Sequence, residues 1–261
     1  MRKSPTFVAG YYGEAVVKHL KTRPTEALLA EHLADVRASG GVVAVGEVCR
    51  PARVIVFDLD ATLIPCEFMD ELAERRGLAH LTRELTARAM AGEIDFRESY
   101  LRRLEILRGT PVLLMEQLIG ELPLAPRAVE TVAALRAAGC RTAIVTGGCA
   151  RLGRAVQRRL GVDALYATEL EEVGGVITGR LAGELLDEGG KVAALVDFCG
   201  RFFGGVQGIG FGLRERGVVA VGDGANDLKM LAAADLAILY TSMPALGRVV
   251  QALDVVLGFC L

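Results

Sequence analysis

Long apolar runs are missing from this 261-residue chain. Arg, Glu, Asp or Gly interrupts each hydrophobic stretch well before the roughly 20 residues that a membrane-spanning helix needs, so a soluble protein with no membrane partner is expected. An excess of one charge is missing as well. The 30 Lys and Arg nearly cancel the 32 Asp and Glu, leaving a formal net charge of -2 and no broad field to attract nucleic acid. A small substrate is therefore favoured over a polymer. Paired cysteines are absent: six thiols lie scattered at Cys49, Cys66, Cys140, Cys149, Cys199 and Cys260, with no Cys-x-x-Cys spacing and no nearby His to complete a zinc site. They are expected to be reduced and mostly buried. A secretory h-region is missing too, because residues 4–21 mix Pro, Gly, Glu, Lys and His, and a cytoplasmic location is expected. With 52% hydrophobic and 24% charged residues, no segment is polar or repetitive enough to be disordered. The expectation is a packed fold throughout, one domain with an inserted or appended piece.

Residues 53–57 read Arg-Val-Ile-Val-Phe, a short β-branched run of the kind buried on both faces of a parallel sheet. Asp58 then stands at a strand's carboxyl end. Residues 142–145 before Thr146-Gly147-Gly148, and 218–221 before Gly222-Asp223-Gly224, repeat the plan of an apolar strand emptying into a Gly-containing polar turn. Helical patterns at 127–138, 150–160 and 191–198 alternate with these strands, which predicts an α/β fold with a doubly wound parallel sheet. Ligands in such sheets bind outside the carboxyl ends of the strands, where the three polar turns would meet. Residues 67–122 break the alternation with charged, helix-forming sequence at 67–76, 81–90 and 97–107. They are expected to form a helical cap inserted after the first core strand. Residues 173–181, with Gly174-Gly175 between apolar residues, predict a β-hairpin on the edge of the core. Residues 25–37 read as a helix capped by Thr25, and 42–45 as an apolar run. The role of this extension, residues 1–50, is not readable.

The sharpest chemical feature is Phe57-Asp58-Leu59-Asp60-Ala61-Thr62-Leu63, two carboxylates two residues apart where a buried strand ends. Alone it can be a turn in which Asp caps backbone groups. The second feature is Gly222-Asp223-Gly224-Ala225-Asn226-Asp227, two more carboxylates and an amide leaving another strand, with glycines that allow close backbone approach. Together the two turns would set several acidic oxygens in one crevice. Such oxygens repel one another unless a hard cation such as Mg2+ is bound among them. Thr146-Gly147-Gly148 can offer a hydroxyl and backbone N–H donors to an anion near a helix start. Lys191 follows Gly189-Gly190 at the beginning of a predicted helix, from which its ammonium can reach the same crevice as a phosphate counter-charge. A single Lys is nevertheless more often solvated.

Taken in order, these residues resemble the haloacid dehalogenase-like phosphatases. The first motif of that superfamily is Asp-x-Asp-x-Thr, here Asp58, Asp60 and Thr62. Thr146 looks like the hydroxyl of its second motif, Lys191 like its Lys, and Asp223 with Asp227 like its acidic metal-binding motif. Within the superfamily the likeness points to the phosphoserine phosphatases. It is carried by Thr146-Gly147-Gly148, by Gly222 to Leu228 and by Ala89-Met90-Ala91-Gly92-Glu93-Ile94-Asp95-Phe96, and it covers residues 53–257. Two departures stand out. Cys149 occupies the position where the family usually has Phe, and residues 200–217 form an unusually Gly-rich connector.

The resemblance implies an extension at 1–50, a catalytic core at 51–64 and 124–261, and a helical cap of the C1 type at 65–123, with hinges near Pro65 and residues 122–126. It implies Asp58 as nucleophile and Asp60 as general acid and base. Mg2+ would be held by Asp58, the backbone carbonyl of Asp60, Asp223 and, through water, Asp227. Thr146, the Gly147 N–H and Lys191 would hold the phosphoryl oxygens, with Asn226 orienting them. Glu67 would meet the ammonium of a small phosphorylated amino-acid substrate, Arg103 its carboxylate, and Met90 with Phe96 would wall the pocket. Read without the resemblance, Glu67 is a surface acid, Arg103 a solvated base, and Met90 and Phe96 ordinary cap core. The implied activity is hydrolysis of O-phospho-L-serine in serine biosynthesis. The alternative is a phosphatase or phosphotransferase for another small phosphomonoester. A cation pump with a similar motif is disfavoured by the missing spans, and a non-catalytic module by the intact Asp58 and Asp60.

Overall fold

The computed structural model describes residues 6–12, 15–39, 41–47, 51–90, 93–203 and 216–241. Cys49, Cys260, Ala91, Gly92, residues 204–215 of the Gly-rich connector and the end of the resemblance at Leu257 lie outside them. The chain begins with β1 (Thr6–Tyr12), β2 (Ala15–Lys21), α1 (Glu26–Ser39), β3 (Val42–Gly46) and β4 (Val54–Phe57). Four helices follow: α2 (Phe68–Arg75), α3 (Ala79–Met90), α4 (Phe96–Ile106) and α5 (Val112–Glu121). Next come α6 (Ala128–Ala137), β5 (Arg141–Cys149), α7 (Ala150–Leu160), β6 (Ala164–Thr168), β7 (Leu170–Val173) and β8 (Val176–Leu181). The described chain closes with α8 (Glu188–Phe203), β9 (Val218–Gly222), a 3-10 turn at Ala225–Asp227, α9 (Leu228–Ala233) and β10 (Leu236–Tyr240).

Eight strands form one sheet in the order β1-β2-β3-β10-β9-β4-β5-β6. From β10 to β6 every neighbouring pair is parallel. All of Val54–Phe57 is buried, and side chains alternate between faces because a strand has a period of two. Ile55 and Phe57 therefore join the layer of Leu72, Leu104, Val132 and Leu152, whereas Val54 and Val56 join that of Leu29, Leu195, Phe198 and Leu231. Helices cover both faces, as the doubly wound pattern predicts. The register is what builds the site. Phe57 pairs with Ile144 on one side and Val221 on the other, so Asp58, Thr146 and Asp223 each stand one or two residues beyond a common level on adjacent chain segments.

Three features depart from the sequence reading. Thr146-Gly147-Gly148 is not a turn: β5 continues through it to Cys149, with a register shift against β6 between Val145 and Cys149. An irregularity of this kind re-aims side chains at a strand's end without ending the strand. The expected β-hairpin forms, as β7 and β8, but it starts earlier, at Leu170, and makes a two-stranded sheet of its own. Its backbone is tied to the α4–α5 connection, with Gly109 N–H donating to Ile177 O at 2.8 Å, Ile177 N–H to Thr110 O at 2.9 Å, and Val112 N–H to Gly175 O at 2.9 Å. Finally, the extension is part of the sheet. β3 runs antiparallel beside β10, with Val43 opposite Leu239, and covers a hydrogen-bonding edge of that buried strand.

Candidate active site

The loop after β4 turns back at once. The N–H groups of Thr62, Leu63 and Ile64 all donate to Leu59 O, and Ala61 adopts the left-handed region at φ 51°. For a residue with a Cβ that conformation is costly, and such strain concentrates at functional sites. Asp58 is buried, and its N–H donates to Val221 O at 2.9 Å. Asp227 is fully buried and accepts from the N–H groups of Asp223 at 3.2 Å and Gly224 at 2.9 Å. Asp58, Asp223 and Asp227 each present a carboxylate oxygen within 4.8 Å of the others.

Lys191 joins this group from the first turns of α8. Its side chain is 0% exposed, with Nζ 2.8 Å from Asp58 Oδ1 and 2.6 Å from Asp227 Oδ1. Burial alone would lower the ammonium's pKa, but Asp227 and Asp58 outweigh it and raise it. Burial pushes Asp58 up to about 7, with Asp227 adding to the effect and Lys191 opposing it. Three carboxylates gathered this closely give an all-oxygen donor set that suits a hard divalent cation. The residues present fit such an ion.

The Asp60 carboxylate stands apart from that trio. Its Oδ1 accepts from Phe68 N–H at 2.9 Å, and a Cβ added to Gly148 would overlap its Oδ2. Glycine is needed at 148 because the backbone runs directly against the carboxylate. Burial pushes Asp60 up to about 8, reinforced by Glu67 and Asp58 and opposed by the Phe68 N–H and Arg103. The Thr146 hydroxyl accepts from Gly148 N–H at 2.9 Å. A Cβ on Gly147 would lie 2.7 Å from the Phe96 ring and 3.0 Å from Leu186 O.

Asp58, Asp60, Glu67, Phe96, Arg103, Thr146, Gly147, Asp223 and Asn226 all line one cavity of about 450 Å³. Lys191 and Asp227 are buried behind its wall. Met90 is the last residue of α3, and its side chain lies outside the described residues. At the cap end, Arg103 is buried, with Nη1 3.6 Å from Glu67 Oε2 and donating to Thr86 Oγ1 at 3.2 Å. The Thr86 hydroxyl lies 3.1 Å from Asp70 Oδ2. The residue reading did not reach Thr86, Asp70 or Tyr100, and it gave Gly148 only as part of an anion-binding turn. For Tyr100 a signal was present: Phe96, Tyr100 and Arg103 follow the i, i+4, i+7 spacing of one helix face.

A family model described as haloacid dehalogenase-like hydrolase matches residues 55–232. The chain belongs to that family. It is 38% identical over 229 residues to a phosphoserine phosphatase of Mycobacterium tuberculosis, an alignment covering 88% of this chain and 54% of the relative. It is 38% identical over 196 residues to the phosphoserine phosphatase of Idiomarina loihiensis, covering 75% of this chain and 85% of that one. Among solved structures, a phospho-aspartyl intermediate analogue of phosphoserine phosphatase superposes with a TM-score of 0.61 at 30% identity, over 71% of this chain and 85% of the other. The chain spans about half the length of several curated relatives that it matches. No helix among the described residues is long and apolar enough to cross a membrane.

Proposed function

We propose that this protein hydrolyses O-phospho-L-serine to L-serine and phosphate, with Mg2+ as cofactor. One observation carries the reading: Asp58 and Asp223, with Lys191 buried against Asp58, share a single cavity with the Glu67–Arg103 pair. A small ester with phosphate at one end and an ammonium and a carboxylate at the other is complementary to both. The names of the relatives support this reading. So does the helical segment between β4 and β5, read here as a cap over residues 65–123.

Asp58 attacks phosphorus, forming the Asp58–phosphorus bond as the bond to the serine oxygen breaks. Asp60 gives its proton to that leaving oxygen. A carboxyl pushed up to about 8 holds a proton at neutral pH. In the second step Asp60 takes a proton from the water that attacks the aspartyl phosphate, and Asp58 is released. Thr146, having accepted from Gly148, donates its own hydrogen to a phosphoryl oxygen alongside the Gly147 N–H and Lys191. Asn226 orients the phosphate. Mg2+ bound by Asp58, Asp223, Asp227 and the Asp60 carbonyl would supply positive charge that keeps Asp58 ionised and offsets charge on the phosphoryl oxygens. Two strands of chain lead into and out of the cap, and Ala125 N–H donates to Leu63 O at 2.8 Å where they run side by side. That is where the cap hinges, opening for substrate and closing against water.

The test is phosphate release from L-phosphoserine, phosphoethanolamine and small sugar phosphates by the purified protein with Mg2+. L-Phosphoserine should be preferred, EDTA should silence the reaction, and Asp58→Asn should abolish it. Full activity in Asp58→Asn would refute the nucleophile assignment.

A further inference from the structure

The cavity wall contributed by α4 carries two buried donors without a partner. Among the described residues, four buried side-chain polar atoms have none: Thr62 Oγ1, Tyr100 Oη, Arg103 Nε and Thr131 Oγ1. Two of the four, Tyr100 Oη and Arg103 Nε, belong to residues that line the same cavity from the same helix. The contrast with the neighbouring residue is direct. Ser99 is equally buried, yet its hydroxyl donates to Leu85 O at 3.2 Å. A buried hydroxyl without a partner is costly, so one that persists in a cavity wall calls for an acceptor brought from outside.

Its place on α4 says which acceptor. Asp95 caps the helix by accepting from Glu98 N–H at 2.6 Å, which sets the first turn. Phe96, in that turn, lies against Gly147, whose N–H is the proposed donor to a phosphoryl oxygen. Arg103, two turns on, meets Glu67. Tyr100 lies between them, its ring 5.8 Å from that of Phe96 and tilted by 43°, which orients the phenol. Burial holds the phenol's pKa well above its ordinary range, with Cys149 and Asp60 adding to the effect and Arg103 opposing it. The hydroxyl is therefore neutral, with a hydrogen to donate. Beside an arginine whose Nε–H also lacks an acceptor, the fitting ligand atom is an anionic oxygen.

We infer that Tyr100 is a specificity-determining residue, its hydroxyl donating to the substrate carboxylate that Arg103 also holds. This rests on the phosphoserine reading above and goes beyond it. It gives the pocket a second, neutral reader of the carboxylate, on a residue that sequence alone would assign to the core. A carboxylate offers more than one lone pair to each oxygen, so it can accept from both groups at once.

Tyr100→Phe removes one oxygen and keeps the ring. The measurement is the ratio of kcat/KM for L-phosphoserine to that for phosphoethanolamine, which lacks the carboxylate, together with the thermal midpoint without substrate. The wild-type protein should prefer L-phosphoserine, and Tyr100→Phe should cut that preference about tenfold, ~1.4 kcal/mol. The midpoint should hold or rise, because an unpartnered buried hydroxyl has been removed. A wild-type preference that Tyr100→Phe leaves unchanged would overturn this inference while the phosphoserine reading stands. A midpoint several degrees lower would overturn it too, by showing that the hydroxyl serves the fold. No wild-type preference at all would remove the phosphoserine reading, and this inference with it.

Discussion

Lys191 and Asp227 lie 36 residues apart in sequence and 2.6 Å apart in space, both fully buried. The ammonium is the countercharge that lets three carboxylates share a water-poor crevice. Removing one partner of a buried pair leaves the other uncompensated, a loss typically of ~3–5 kcal/mol. Lys191→Met should therefore destabilise the metal-free protein by about 3 kcal/mol on that basis, measured by urea unfolding in EDTA. Its turnover should fall about 10²-fold, the usual cost of losing one preorganised electrostatic group. Unchanged unfolding in EDTA would contradict the role given to the lysine.

Gly148 carries a second prediction. A Cβ there would overlap Asp60 Oδ2 and lie 3.0 Å from Thr146 Oγ1. Gly148→Ala should displace the proposed acid–base carboxyl while leaving the buried trio in place. Because a misplacement of about 1 Å can cost roughly 10²-fold in rate, kcat should drop by about that factor. Mg2+-induced stabilisation should survive. Loss of both together would mean that the substitution disrupts the whole crevice.

A third expectation concerns pH and metal together. Asp58 and Asp60 bind protons more tightly in the folded protein, at about 7 and about 8 against an ordinary 3.8. Between these values the folded state holds protons that the unfolded state has released. The slope of unfolding free energy with pH is then negative, and the metal-free protein loses stability as pH rises through the folded values. Mg2+ needs the carboxylates ionised, so its stabilising effect should grow in the same direction. Thermal midpoints with and without Mg2+ at pH 6 and pH 8 check this. A larger Mg2+ effect at pH 6 would reverse the sign and reject the assignment.

Arg103 and Glu67 yield a further test within the cavity. Arg103→Ala and Glu67→Ala should each reduce kcat/KM for L-phosphoserine far more than for p-nitrophenyl phosphate, which has no amino-acid end. Arg103→Lys should recover little, since a point ammonium does not reproduce the guanidinium's fixed fork of donors. Equal losses on both substrates would assign these residues to the fold or to the chemistry.

Much of this was legible in short stretches of chain. Val54–Phe57 had to be a buried strand, because four apolar residues, two of them Val, have no other good use at that length. Two carboxylates at its end were therefore suspect. Helices α2, α3, α4, α6 and α7 fall within two residues of their expected bounds, since their patterns and caps are local. Other elements escaped. The five apolar residues of β10 and the α5 segment, with only two acidic residues among Val112–Glu121, carry no period that separates strand from helix. The extension had no readable role, because its β3 joins the core strands by pairing with β10, nearly 200 residues on.

Local sequence set which residue types stood at which strand ends, because hydrophobic period, β-branching and turn chemistry act over a few residues. Distance was decided elsewhere. Lys191 reaches Asp58 across 133 positions, and Arg103, readable as a solvated base, is buried against Glu67 and Thr86. Tyr100 shares a helix face with Phe96 and Arg103, but only the packing shows that this cavity-lining residue has its hydroxyl buried without a partner. Burial, charge compensation and partnering are properties of groups brought together across the chain. Only the folded arrangement, where water is displaced and each buried polar atom must find an acceptor or go without, determines them.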